Sequence, residues 1–120
     1  MTPRRILFLI AHAPQRGALA LESLDALLVG AVFDQHVSVL FIGDGVYQLL
    51  DRADSQPSAE RDAARGYRAL PTYDVSDVYV DKTALRDRGL NAEALALPAK
   101  LLTRQGVRKL IATQDVVMPD

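Results

Sequence analysis

Short apolar runs separated by polar, glycine-bearing turns set the rhythm of the chain. Ile6-Leu7-Phe8-Leu9-Ile10 is continuous and apolar, as a strand covered on both faces of a parallel sheet should be. A loop, AHAPQRGA, follows. From Leu19 to about Phe33 the period lengthens and predicts a helix. Leu21, Leu24, Leu28 and Val32 lie on one stripe, and Glu22 and Asp25 sit early, where the helix dipole favours acids. Val37 to Ile42, dense in β-branched and aromatic residues, predicts a second strand. FIGDGVYQLL (41–50) then turns into a short helix with Val46, Leu49 and Leu50 on its apolar face. Gly43 and Gly45 suit the sharp turn, and Asp44 suits a cap on the helix that follows.

Residues 51–62, DRADSQPSAERD, are polar, contain Pro57 and predict a loop leading to a helix around 63–70. VSDVYV (75–80) predicts a third strand, and TALRDRG a helical turn stopped by Gly89. Beyond Pro98, AKLL predicts a short fourth strand. Thr103 then N-caps a helix in which Val107, Leu110 and Ile111 share a face. VVM (116–118) is the last strand, ended by Pro119. The alternation of strand and helix, with connections too long for hairpins, predicts an α/β domain with a mostly parallel five-stranded sheet between helices. No repeat, linker or low-complexity tract divides residues 1–120, so one domain is expected.

Composition narrows the chemistry. The chain of 120 residues carries a net charge of −1, against the clustered basic face that nucleic acid binding requires. It contains no cysteine, which excludes thiolate nucleophiles, persulfide carriage, disulfides and Cys-based metal sites on this chain. Arg4-Arg5 lead into only a short apolar run, and the longest apolar stretches fall far short of a bilayer span. A soluble cytoplasmic protein, with no membrane contact, is the expectation.

Ligands of parallel sheets bind beyond the carboxyl ends of the strands. That singles out AHAPQRG, GDGV and DKT. The first loop lacks the Gly-Lys-Ser/Thr of a P-loop, and Gly43-x-Gly45 has Gln48 where a dinucleotide fingerprint needs its third glycine. No acidic pair follows strand one to hold magnesium beside Asp81, so phosphotransfer is not expected. His12 has two readings: a solvated loop histidine, or a general base or anion-orienting group at the strand end. His36 falls at the opposite end of strand two, so the two histidines make no metal site. No serine has the Gly-x-Ser-x-Gly setting of a triad nucleophile.

Several segments, in order, resemble one family: ILFLIAHAPQRGALALESLDALLVGAVFD, VLFIGDGVYQLL, ALRDRGL and IATQDVVMPD. They are similar to the DsrE/DsrF-like sulfur-relay family, closest to its TusC/DsrF branch. The resemblance implies a three-layer flavodoxin-like (DsrE-like) fold with helices on both faces of the sheet. It also implies a heterohexamer with related DsrE/TusD-like and DsrH/TusB-like subunits, linked indirectly to a sulfur-carrier protein and to tRNA. In Tus systems the relayed sulfur ends in the 2-thiouridine of the tRNA wobble base; the Dsr counterpart serves dissimilatory sulfur oxidation. Alignment on Leu85-Arg86-x-Arg88-Gly89 places Asp81 where the sulfur-carrying subunit has its cysteine. An aspartate cannot form a persulfide, and its charge repels an incoming thiolate. The resemblance therefore implies a non-catalytic subunit without cofactor or metal, contributing interface area. Val46, Tyr47, Leu49 and Leu50, with Tyr67 and Tyr73 beyond the polar loop, are the interface candidates. The rival reading is a free-standing small-molecule-binding module or enzyme using His12, Asp44 and Asp81.

Overall fold

The computed structural model describes residues 4–13, 29, 35–50, 67–73, 75, 77–95 and 97–120. Among the described residues are five strands: β1 (Arg5–Ile10), β2 (His36–Phe41), β3 (Asp77–Asp81), β4 (Lys100–Leu102) and β5 (Val116–Pro119). Helix α1 (Lys82–Asp87) follows β3 and helix α2 (Arg104–Ala112) follows β4. Three-ten helices occupy Gly43–Leu49, Leu70–Tyr73 and Ala92–Ala94.

The five described strands pair in parallel, in the order β4-β3-β2-β1-β5, and an isolated antiparallel bridge joins Leu50 to Leu95. The chain steps outward from β1 through β2 and β3 to β4. It then returns across the sheet to lay β5 on the other side of β1. The reversed step, from β4 back to β5, is the one that carries α2. The three-layer α/β architecture expected from the sequence is the one present.

Strand alternation decides what each face buries. Ile6, Phe8 and Ile10 stand in register with Val37, Val39 and Phe41, and the last two with Val78 and Val80. This face packs against Val46 and Leu49 of the first three-ten helix, Tyr67, Leu70, Val75, Ala84 and Leu85 of α1, and Leu97. Phe41 and Tyr67 meet edge to face at 5.0 Å and 85°, the arrangement that aligns ring quadrupoles favourably.

Boundaries differ from the sequence pattern where a local bond intervenes. The third strand begins at Asp77 rather than Val75, because the Val75 N–H bonds the Leu70 carbonyl at 3.1 Å and closes the preceding turn. Pro119 continues β5 instead of ending it, in register with Leu9; an edge strand tolerates the missing N–H. Of the predicted helix 19–33 only Val29 is described, and it is helical. The predicted loop 51–62 lies outside the described residues.

Candidate functional site

The strand order reverses at β1, and the adjacent carboxyl ends of β1 and β5 carry a linked set of polar side chains. Asp120 directly follows β5, and its side chain is only 4% exposed. Its carboxylate accepts the Ala11 N–H at 3.0 Å and the His12 N–H at 3.2 Å. Asp120 Oδ1 also lies 2.9 Å from His12 Nδ1, while the His12 side chain keeps 45% of its surface exposed. From the interior, Gln48 Nε2 donates to the His12 carbonyl at 2.8 Å, and Gln48 Oε1 accepts the Tyr67 hydroxyl at 2.8 Å. Gln48 and Tyr67 are both buried, and each supplies the other's missing hydrogen bond. Burial, and then the negative charge of Asp120, push the Tyr67 phenol well above its usual pKa.

Two glycines let the turn after β2 close on this site. Gly43 adopts φ +50, a left-handed conformation that suits glycine. Gly45 serves a different need: a Cβ there would overlap the Ile10 carbonyl and the Ala11 nitrogen. The Gly45 backbone therefore lies directly against the end of β1.

Asp44 does not cap the helix that follows it. The cap position is Ile42, with no side-chain bond, because Asp44 is turned toward α1. There its Oδ1 accepts from Arg88 Nε at 3.1 Å and Nη2 at 2.9 Å. Arg88 also donates to the Ala84 carbonyl and lies 6.0 Å from the Tyr47 ring centroid. Asp81, at the end of β3, is the N-cap of α1 and accepts the Thr83 N–H at 3.1 Å. His12, Asp44 and Asp81 thus share the carboxyl edge of the sheet but belong to three separate hydrogen-bond sets. Among the described residues, no group of three or more His, Cys, Asp or Glu converges as a metal site.

The interface candidates divide by burial. Val46, Leu49 and Tyr67 are fully buried within the chain and offer no surface to a partner, a correction to the sequence-based expectation. The sheet needs them to close its core. Tyr47 and Leu50 stay partly exposed. The Tyr73 side chain lies outside the described residues. Exposed apolar surface is found instead at Leu101 on β4, Ile111 on α2 and Met118 on β5. Sequence reasoning also passed over Asp120, and it read Gln48 only as the residue in place of a fingerprint's third glycine. The signal for Asp120 was its place just past the last apolar strand, the same kind of position that drew attention to His12.

A parallel sheet in this order, with polar groups gathered where β1 meets β5, defines an open α/β fold with its candidate site where the strand order reverses. Residues 4–119 match the DsrE/DsrF-like family, and the chain belongs to it. It is 36% identical over 113 residues to a "Protein TusC homolog" of Pseudomonas aeruginosa, covering 94% of this chain and 95% of that one. To the "Intracellular sulfur oxidation protein DsrF" of Allochromatium vinosum it is 39% identical over 92 residues, 77% of this chain and 68% of that one. The crystal structure of the YchN protein of E. coli superimposes with a TM-score of 0.81 at 17% identity, covering 98% of this chain and 99% of the other. That last likeness shows the fold.

Proposed function

We propose that this chain is a TusC/DsrF-like subunit of a heteromeric sulfur-relay complex, a cytoplasmic single-domain component that carries no sulfur of its own. It supports persulfide transfer toward 2-thiouridine formation in the tRNA wobble base. The observation that carries the reading is a combination. Similarity to a TusC homolog extends over 94% of a chain that contains no cysteine. Asp81, at the position the family resemblance gives to the sulfur-carrying cysteine, is engaged in capping α1. Its partners are DsrE/TusD-like and DsrH/TusB-like subunits. Tyr47, Leu50, Leu101, Ile111 and Met118 are the apolar surface this chain has to offer them.

The test is co-expression of the tagged chain with its neighbouring genes. Two related subunits should co-purify, one with a cysteine before its own Ala-Leu-Arg-like stretch. Deleting the gene should remove 2-thiouridine from tRNA, and re-expression of the Asp81→Ala variant should restore it. Isolation as a catalytically competent homo-oligomer would overturn the proposal. Intact thiouridine with lost oxidation of reduced sulfur would move the chain to the pathway named for its Allochromatium relative.

A further inference from the structure

The hydrogen bonds around His12 specify more than its position. A carboxylate has no proton to give, so at the 2.9 Å contact His12 Nδ1 donates to Asp120 Oδ1. A neutral ring in that tautomer carries its lone pair on Nε2. The ring is fixed from several sides. Asp120 holds Nδ1 and the His12 N–H, and Gln48 holds the His12 carbonyl. Asp120 is itself nearly sealed from solvent, whereas the imidazole is nearly half exposed. A buried carboxylate orienting an exposed imidazole is the arrangement that presents Nε2 as a proton acceptor. It stands where the strand order reverses, the place at which open α/β sheets bind their ligands.

His36 provides the internal contrast. Its Nε2 contacts Asp77 Oδ2 at 3.0 Å, and Asp77 also faces Lys100 Nζ at 3.9 Å. The ion pair there engages Nε2 rather than Nδ1, at the amino end of β2. The two histidines thus meet their carboxylates through opposite ring nitrogens.

We infer that His12, oriented by Asp120, is a general base that deprotonates a cysteine thiol presented by a partner subunit at the carboxyl ends of β1 and β5. The inference rests on the sulfur-relay reading and goes beyond it: a subunit without sulfur still supplies a proton acceptor. In the step, the thiol S–H bond breaks and a bond from Nε2 to that proton forms. The electron pair stays on sulfur as a thiolate, and Asp120 balances the imidazolium charge. No oxidant or reductant is required. Among the described residues, the charged and titratable groups packed around the pair are Asp120 at the end of β5, Tyr67 behind Gln48, and the Asp44–Arg88 pair beyond Gly43. A free thiol of pKa about 8.5 is about 3% thiolate at pH 7, so complete deprotonation is worth at most about thirtyfold in rate.

Two measurements test it. Imidazole nitrogen shifts of the 15N-labelled chain, at a pH where both rings are neutral, should show His12 protonated at Nδ1 and His36 at Nε2. A His12 ring protonated at Nε2 overturns the inference irrespective of any complex. In the reconstituted complex, persulfide transfer by the His12→Gln variant should fall about tenfold at pH 7, with the deficit closing near pH 9 as the thiol ionises unaided. His36→Gln should leave the rate unchanged. An undiminished rate for His12→Gln overturns the inference, as does a deficit equal at both pH values. Should His12→Gln fail to assemble, Asp120→Asn is read by the same two criteria, loss of the Nδ1–H tautomer and a pH-dependent deficit. If the wild-type chain recruits no partners, the sulfur-relay reading fails, while the tautomer measurement still decides the geometry.

Discussion

A methyl group on Gly45 would have to occupy space held by backbone, namely the Ile10 carbonyl and the Ala11 nitrogen. Main chain at the hydrogen-bonded end of a strand cannot retreat as a flexible side chain can. Gly45→Ala should therefore cost about 3 kcal/mol or more in urea denaturation, the upper range of overpacking. Gly43→Ala, whose Cβ would meet nothing closer than 3.9 Å, should lose only the left-handed backbone penalty of about 1–2 kcal/mol. Tyr67 gives a pH signature. Its phenol is held protonated by burial and by Asp120, whereas an unfolded tyrosine ionises near 10. Above that pH the unfolded state binds fewer protons than the native state, so this residue's stabilising contribution declines as pH rises. The stability advantage of the wild type over Tyr67→Phe should thus shrink by about 1.4 kcal/mol per pH unit above pH 10. Below pH 10 the advantage is constant, because Tyr67→Phe leaves buried Gln48 Oε1 without its donor at a cost of about 1–3 kcal/mol. Of the residues in this network only His12 was legible in the sequence as chemistry. Its location at a strand end marks it, but the partner that orients it is 108 positions away. Gln48 and Tyr67 read as a failed motif and a surface aromatic, because nothing local announces a buried polar pair.

Elements were legible wherever their cause was local. Thr103 caps α2 through a 3.2 Å bond from the Gly106 N–H, as its place before an amphipathic run indicates. Gly89, at φ +63, follows the end of α1 as the pattern TALRDRG implies. The segment 43–49 was harder, since its apolar spacing suits any short helix and does not separate three-ten from α. What joins that helix to α1 is the Asp44–Arg88 pair, and the two most family-like segments of the sequence prove to hold one another. Asp44 is 60% exposed and Arg88 23%. A double-mutant cycle with alanine at both positions should therefore return a coupling of only about 0.5–1 kcal/mol, weakening in high salt. Arg88→Ala alone should cost more than Asp44→Ala, because it also releases the Ala84 carbonyl at the end of α1.

Across the whole sheet, burial falls from the centre outward. β2 is buried at nearly every position, whereas β4 and β5 have no buried residue. Amide hydrogen exchange should follow that gradient, slowest in β1, β2 and the facing half of β3, and fastest in β4 and β5. Uniform protection across the five strands in the isolated chain would contradict it. The order of the sheet also bears on how the protein is made. Of the five described strands, β1 is synthesised before the other four, and one of its two neighbours, β5, after them. At ribosomal speeds of about 5–20 residues per second, one edge of β1 waits several seconds for its hydrogen-bonding partner. During that interval the growing polypeptide exposes an unpaired apolar edge, the kind of surface on which nascent chains aggregate. Asp120 arrives after all five strands, so the His12 imidazole acquires its fixed tautomer only at the final docking event. An imidazole signature in that state would mark a polypeptide whose sheet is complete, separating finished molecules from those still waiting for β5.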